Sequence, residues 1–328
     1  MSNTQTSRTD VAAGEVDGAS PDGIDRRGFL ECMAWVGTGI LWTMSGGAIH
    51  SRALGSPPAA AEANADFSFA QISDTHIGFS KAPNKDVVGT YRLAMGKIAA
   101  LKRRPDFLLH TGDLSHLSKA SEFDTVEQVI RETRIPQTFY VPGEHDVFVD
   151  QGKQYLARFG AKTQGTGWHS FDYHGVHFLG LVNVADLKPG GLGTLGREQL
   201  EWVKKDLEGL SSSTQVVVFA HVPLWTVYPK WGWGTDDGEQ ALALMRRFGA
   251  VTVLNGHIHQ VMQKVEGNVT FHTARSTAFP QPAPGAAESP GPIKNVAADR
   301  LRSTLGLAQC NYVENNHSLA IVDASLAE

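Results

Sequence analysis

The segment Phe67-Ser68-Phe69-Ala70-Gln71-Ile72-Ser73-Asp74-Thr75-His76 is a short apolar run that stops on a carboxylate and an imidazole. Six residues rich in Phe and Ile, closed by Ser-Asp, read as a buried strand. The same pattern recurs downstream. Phe107–His110 is followed by Gly112-Asp113-Leu114-Ser115-His116, and residues 138–141 by Gly143-Glu144-His145-Asp146. Residues 216–220 lead into His221-Val222-Pro223, and residues 250–254 into Gly256-His257-Ile258-His259. Five strand ends each deliver a carboxylate or an imidazole, and side chains at strand C-termini in an α/β sheet converge on one crevice.

Helical spacing fills the gaps between these strands. Residues 86–103 place Val87, Leu93, Ile98 and Leu101 on one face before Pro105, and residues 121–131 do the same with Phe123, Val126 and Ile130. Residues 195–207 and 239–248 are the next helices, and a short one is expected over 297–305. Hairpins are expected where 168–173 meets 176–182 around His174-Gly175, and where Gln263–Glu266 meets Val269–Thr273 around Gly267-Asn268. The proline-rich stretch 279–292 reads as loop, and residues 318–322 as a last strand. The order is that of an α/β fold with antiparallel hairpins in its second half.

Composition narrows the class. With 41% hydrophobic and 19% charged residues among 328, the chain is an ordinary globular protein, which excludes wholesale disorder and a polytopic membrane protein. Two cysteines, Cys32 and Cys310, exclude a disulfide framework and a cysteine-based zinc cluster. A net charge of −5 gives no reason to expect a nucleic-acid partner. The 13 histidines carry the information instead, because so many fall at strand ends. Taken singly each motif has a bland explanation: Asp is a common turn residue and helix cap. Gly-His-x-His is the most specific, since imidazoles two apart on an extended segment point the same way. Oxygen and nitrogen donors without sulfur suit Mn, Fe or Zn, and an Asp able to bridge suits a two-metal site.

The N-terminal region is an address rather than part of this fold. Asp25-Arg26-Arg27-Gly28-Phe29-Leu30 precedes an uncharged run over 32–51 and a small-residue stretch ending Ala61-Glu62-Ala63. The arginine pair resembles a twin-arginine signal, which implies export of a folded protein by the twin-arginine translocation machinery to the periplasm or beyond. The expected division is residues 1–63 as signal and polar leader and 64–328 as the functional domain. An uncleaved anchor is the alternative, although Gly37, Gly39, Gly46 and Gly47 make the run a poor permanent membrane span.

In motif and order, the five strand-end segments from residue 72 to 259 resemble the signature of the calcineurin-like metallophosphoesterase superfamily. The resemblance implies a four-layer αββα sandwich of two mixed sheets. It implies a first metal held by Asp74, His76, Asp113 and His259, and a second held by Asp113, Glu144, His221 and His257. It makes His145 the general acid or phosphate stabiliser, with Asp146 orienting its ring. A water bridging the two ions would lose its proton near neutral pH and attack phosphorus as hydroxide. The expected function is hydrolysis of a phosphate ester, diester ahead of monoester. Glu144 departs from the family, which has Asn there; its extra charge would tighten the metal and repel a dianionic substrate. The rival expectation is a non-catalytic metal- or ligand-binding periplasmic protein whose site Glu144 detunes, against which His145 and Asp146 argue, since neither is needed merely to hold metal.

Weaker candidates remain. His116 stands three residues after Asp113, where purple acid phosphatases carry a tyrosine ligand, so that subfamily is excluded; it lines the cleft, caps a helix or lies at the surface. Trp225, Tyr228, Trp231 and Trp233 form an aromatic wall for substrate or pack their own loop. His272 and Arg275 are in reach of a phosphate if their hairpin faces the cleft, and Cys310 reads as a packed residue.

Overall fold

The computed structural model describes residues 39–45, 48–54, 65–313 and 318–327. Two compact units divide the chain, 1–57 and 58–328. In the first, Gly39–Ser45 and Ala48–Leu54 pair as an antiparallel hairpin. The arginine pair and the cleavage stretch around Ala61 lie outside the described residues. Among the described residues, no helix is long and apolar enough to cross a membrane.

The second unit runs β1 (Phe67–Ile72), α1 (Val87–Ala99), β2 (Phe107–His110), α2 (Ala120–Thr133), β3 (Thr138–Tyr140), α3 (Glu144–Val147) and α4 (Lys153–Phe159). It continues β4 (His169–Tyr173), β5 (Val176–Gly180), α5 (Gly196–Leu207), β6 (Gln215–Ala220), α6 (Gly238–Met245) and β7 (Val251–Asn255). The last elements are β8 (Gln263–Glu266), β9 (Val269–Thr273), α7 (Ala298–Thr304), β10 (Gly306–Val313) and β11 (Ser318–Ser325). Two mixed sheets result, of order β11-β10-β1-β2-β3 and β8-β9-β7-β6-β5-β4. β1, β2 and β3 are parallel, as are β5, β6, β7 and β9, while β4, β8, β10 and β11 run antiparallel to their neighbours.

Period-two alternation decides the layering. Along β1, Phe67 and Phe69 join one apolar cluster, Ala70 and Ile72 another; along β6, Val217 and Phe219 part in the same way from Val216, Val218 and Ala220. The shared cluster holds Phe67, Phe69, Phe107 and Leu109 from one sheet with Val176, Phe178, Val217 and Phe219 from the other. Phe69 stacks on Phe107 at 5.0 Å and both meet Phe178 edge-on, at 5.6 and 5.4 Å. Burying each such ring contributes about 1.5–3 kcal/mol. The outer faces are covered by α1 and α2 on the five-stranded sheet and by α5 and α6 on the six-stranded one. This is the four-layer αββα sandwich expected from the sequence.

Among the strands and α-helices named for the second unit, three were not expected. β10 lies between β1 and β11, buried over seven of its eight residues. Its polar members Gln309 and Asn311 are buried too, although they alternate with Ala308, Cys310 and Tyr312 as the polar positions of a half-exposed strand would. Helices α3 and α4 are short, four and seven residues, and too brief for periodicity to reveal.

Candidate metal centre

All five strand ends open toward one another, and the backbone there is unusual. Asp74, His76, Asp113, His257 and His259 all adopt left-handed φ, between 41° and 69°. Each such non-glycine residue costs about 1 kcal/mol or more, so five together mark a place where function overrides backbone preference. The Gly-His-x-His segment is therefore not extended, and its two imidazoles do not point the same way. His259 joins Asp74 and His76, whereas His257 joins Glu144 and His221.

In the first group, His259 Nε2 lies 3.2 Å from Asp74 Oδ1 and 3.3 Å from His76 Nε2. In the second, Glu144 places Oε2 3.0 Å from His221 Nε2 and Oε1 3.1 Å from His257 Nδ1, and those two nitrogens are 3.3 Å apart. Asp113 stands between the groups: its Oδ2 is 3.4 Å from His76 Nε2 and 3.5 Å from His221 Nε2. Donors about 2.1 Å from a common ion stand about 3.0–3.5 Å apart, so both groups have the spacing of ligand sets.

Tautomers sharpen the fit. His221 Nδ1 donates to the carbonyl of Thr111 at 2.7 Å, and His259 Nδ1 to that of Phe279 at 2.6 Å. In the neutral rings the proton is thereby fixed on Nδ1, and each Nε2 turns a bare lone pair toward carboxylate oxygens. Lone pairs facing lone pairs call for a cation between them. Buried Glu144 Oε2 has no hydrogen-bond partner among the described residues, as suits an oxygen aimed at such a cation. The donors present fit divalent metal ions.

Electrostatics points the same way. Burial pushes His221 down, but Asp113 and Glu144 outweigh it and raise the ring well above its ordinary value. Burial would raise Glu144, yet His257 and His221 hold it well below the usual carboxylate range. Asp74 is likewise lowered against its burial, by His259 and His221. His76 is pushed well down by burial and by the rings of His145, His259 and His116 around it, which keeps it neutral and able to ligate.

Glycines allow this crowding. A Cβ on Gly143 would fall on Asp113 Oδ1, and Gly112, at φ +96°, is pressed against the ring of His221. Around them, Ser276 Oγ donates to Asp74 O at 2.8 Å and the N–H of His257 to the Asp74 carboxylate at 3.1 and 3.2 Å.

His145 projects beside both groups. Its backbone N–H donates to Asp113 Oδ1 at 3.0 Å, and its ring sits 4.7 Å from that of His76. Burial lowers its pKa, but Asp113, Glu144 and the bond to the His116 carbonyl raise it overall. Asp146 does not orient that ring. Its two oxygens accept from Leu114 N–H, Ser115 N–H, Ser115 Oγ and Gly143 N–H at 2.8–3.0 Å. It thus ties the Asp113 loop to the Glu144 turn, while His145 Nδ1 donates to the carbonyl of His116 at 2.8 Å. Burial and neighbouring Asp113 push Asp146 up to about 7, against the pull of those backbone donors.

Of the weaker candidates, His116 belongs to the site: its Nδ1 is 3.4 Å from His76 Nδ1 and its ring stacks on His145. Burial and the nearby His145 push it down to about 4. The aromatic wall is loop packing, with Trp231 and Trp233 buried around Ile258 and Trp225 against Phe271. His272 spends Nε2 on Asp323 and Arg275 donates to Ser303 O, so neither serves the site. The carbonyls of Thr111, His116 and Phe279 escaped sequence reasoning because any residue type supplies a carbonyl.

Comparison with known proteins agrees with this picture. A family model described as calcineurin-like phosphoesterase matches residues 67–261. A 3',5'-cyclic-nucleotide phosphodiesterase of Nostoc sp. is 26% identical over 218 residues, 65% of this chain and 79% of that protein. A glycerophosphodiester phosphodiesterase of Enterobacter lignolyticus is 25% identical over 228 residues, 65% of this chain and 78% of that one. Among solved structures, a dimetal phosphatase from Danio rerio superposes with TM-score 0.61 at 14% identity, over 80% of this chain and 98% of that one, a likeness of fold.

Proposed function

Because the chain belongs to the calcineurin-like phosphoesterase family, we propose that it hydrolyses phosphodiesters with the aid of two metal ions. The observation that carries this reading is the pair of donor groups sharing Asp113, with the His145 ring beside them. Asp74, His76, Asp113 and His259 would hold one ion, and Asp113, Glu144, His221 and His257 the other. When bound, such ions supply Lewis acidity toward the phosphoryl oxygens and a water acidified for attack on phosphorus. Mn, Fe and Zn all accept this nitrogen and oxygen set.

The chain's own residues do the rest. Asp146 and the glycines hold the loops so that the donors converge without rearrangement. His145, anchored through Nδ1 to the His116 carbonyl, keeps Nε2 free to give a proton to the departing alkoxide. Merely holding metal requires no such acid, which favours an enzyme over a binding protein. Two relatives are named for diesters, and Glu144 adds a negative charge that a monoanionic diester tolerates better than a dianionic monoester.

The test is hydrolysis of bis-p-nitrophenyl phosphate beside p-nitrophenyl phosphate by protein stripped and reloaded with Mn, Fe or Zn. The reading expects metal-dependent turnover, faster on the diester, that His145→Ala loses while retaining its metals. Two bound ions with no turnover under any metal would refute it. Export is a separate proposal resting on Arg26-Arg27-Gly28-Phe29-Leu30 and the small residues beyond. It is checked by the N-terminal sequence of the protein from the periplasmic fraction, expected near residue 64.

A further inference from the structure

The carbonyl of His116 anchors His145; the His116 side chain has no assigned task in the reading above, yet the structure fixes it closely. Its N–H donates to Ile77 O at 2.9 Å and its carbonyl accepts from His145 Nδ1 at 2.8 Å. The buried carboxylate of Glu122 accepts from Leu117 N–H at 2.8 Å and so clamps the turn that follows. The ring is fixed as well: it stacks on His145 with centroids 4.8 Å apart and planes 16° from parallel, and Phe79 meets it edge-on at 5.3 Å. Nitrogens of His76, His116 and His145 come within 4.8 Å of one another.

The protons can be placed in turn. His76 directs Nε2 toward Asp113 and His259, at 3.4 and 3.3 Å, so as a ligand it carries its proton on Nδ1. That Nδ1 faces His116 Nδ1 at 3.4 Å, and two lone pairs there would repel. His116 therefore accepts from His76, and its own proton lies on Nε2. No protein group among the described residues takes this N–H. The result is a neutral donor on a half-buried ring, fixed by two rings and two backbone bonds beside the proposed acid.

We infer that His116 is a further substrate-contacting residue, whose Nε2–H donates to a non-bridging oxygen of the phosphoryl group on which His145 acts. The inference rests on the phosphoesterase reading. A donor held beforehand gains strength as negative charge gathers on those oxygens in the transition state, without reorganising.

The test uses metal-loaded full-chain protein and inorganic phosphate as probe, with binding measured by calorimetry beside turnover and metal content. His116→Phe keeps the stacking but loses both nitrogens; His116→Asn retains an acceptor and a donor. Expected is phosphate binding about 10- to 100-fold weaker in His116→Phe, the worth of one hydrogen bond to a charged oxygen. Binding recovers partly in His116→Asn, and both variants keep the wild-type metal content. Phosphate affinity unchanged in His116→Phe overturns the inference. So does loss of one metal together with phosphate binding, which would assign His116 to holding His76. Wild-type protein that binds phosphate with this His116 dependence but cleaves no ester refutes the enzyme and leaves the contact standing.

Discussion

Replacing Glu144 by Gln removes one charge from the site while keeping the side chain's length. The carboxylate spans the second group, 3.0 Å from His221 Nε2 and 3.1 Å from His257 Nδ1, and its side chain is 22% exposed. With Asp74 and Asp113 it makes three carboxylates against two divalent ions, so the loaded site is about one charge positive; Gln makes it about two. For a phosphoryl oxygen about 5 Å away, the second charge of a monoester costs about 3 kcal/mol against Glu144 at an effective dielectric of about 20. Partial exposure reduces this to about half, worth about tenfold in rate. Glu144→Gln should therefore shift the ratio of kcat/KM for p-nitrophenyl phosphate over bis-p-nitrophenyl phosphate about tenfold toward the monoester. The second ion should bind more weakly, so the assay is run at saturating metal with content checked on the same sample. An unchanged ratio with two ions bound would refute the argument that Glu144 sets the charge preference.

Three other perturbations follow from the same geometry. Asp146→Asn offers one acceptor oxygen to four buried donors and should cost about 2–4 kcal/mol in urea unfolding; full stability would mean the carboxylate is not the tie between the two loops. Gly143→Ala places a Cβ on Asp113 Oδ1, so the purified variant should retain at most one tightly held metal ion by elemental analysis. His177, buried with Asp206 and Asp172 each 2.8 Å from a ring nitrogen, has its pKa raised by those carboxylates against its burial. Its contribution to stability is whole below the unfolded value near about 6.5 and is lost as pH rises through the folded value. Urea midpoints of the wild type should fall across that window, and His177→Asn should flatten the fall.

Parallel strands were legible where burial on both faces makes them short apolar runs, and β1 and β2 begin and end where the sequence placed them; β8 and β9 were legible instead from the Gly267-Asn268 turn between them. The candidate ligand residues were legible for a related reason: a strand that ends on Asp or His exposes an expensive polar group where sheets are otherwise apolar. Legibility failed where the deciding group is not a side chain. Nothing in the letters distinguishes the carbonyl of His116 from any other, so Asp146, the neighbouring acid, was given the task of orienting His145. Nor does Gly-His-x-His announce left-handed φ at both histidines; an extended reading sends both rings to one side, whereas the structure divides them between two groups.

That division explains why the strain is tolerated. Two ligand sets about one shared carboxylate need donors arriving from opposite sides within a few ångströms, and extended strands ending side by side send their side chains along common directions. Turning Asp74, His76, Asp113, His257 and His259 into the left-handed region re-aims each side chain immediately beyond its strand. The cost falls on residues locked by Ser276 on the Asp74 carbonyl, by Asp146 across the two loops, and by the Phe279 carbonyl on the His259 ring. A single cation, or an ion pair without metal, would not require donors aimed in two directions from one Gly-His-x-His. The backbone conformation thus supports the proposal that the site holds two ions.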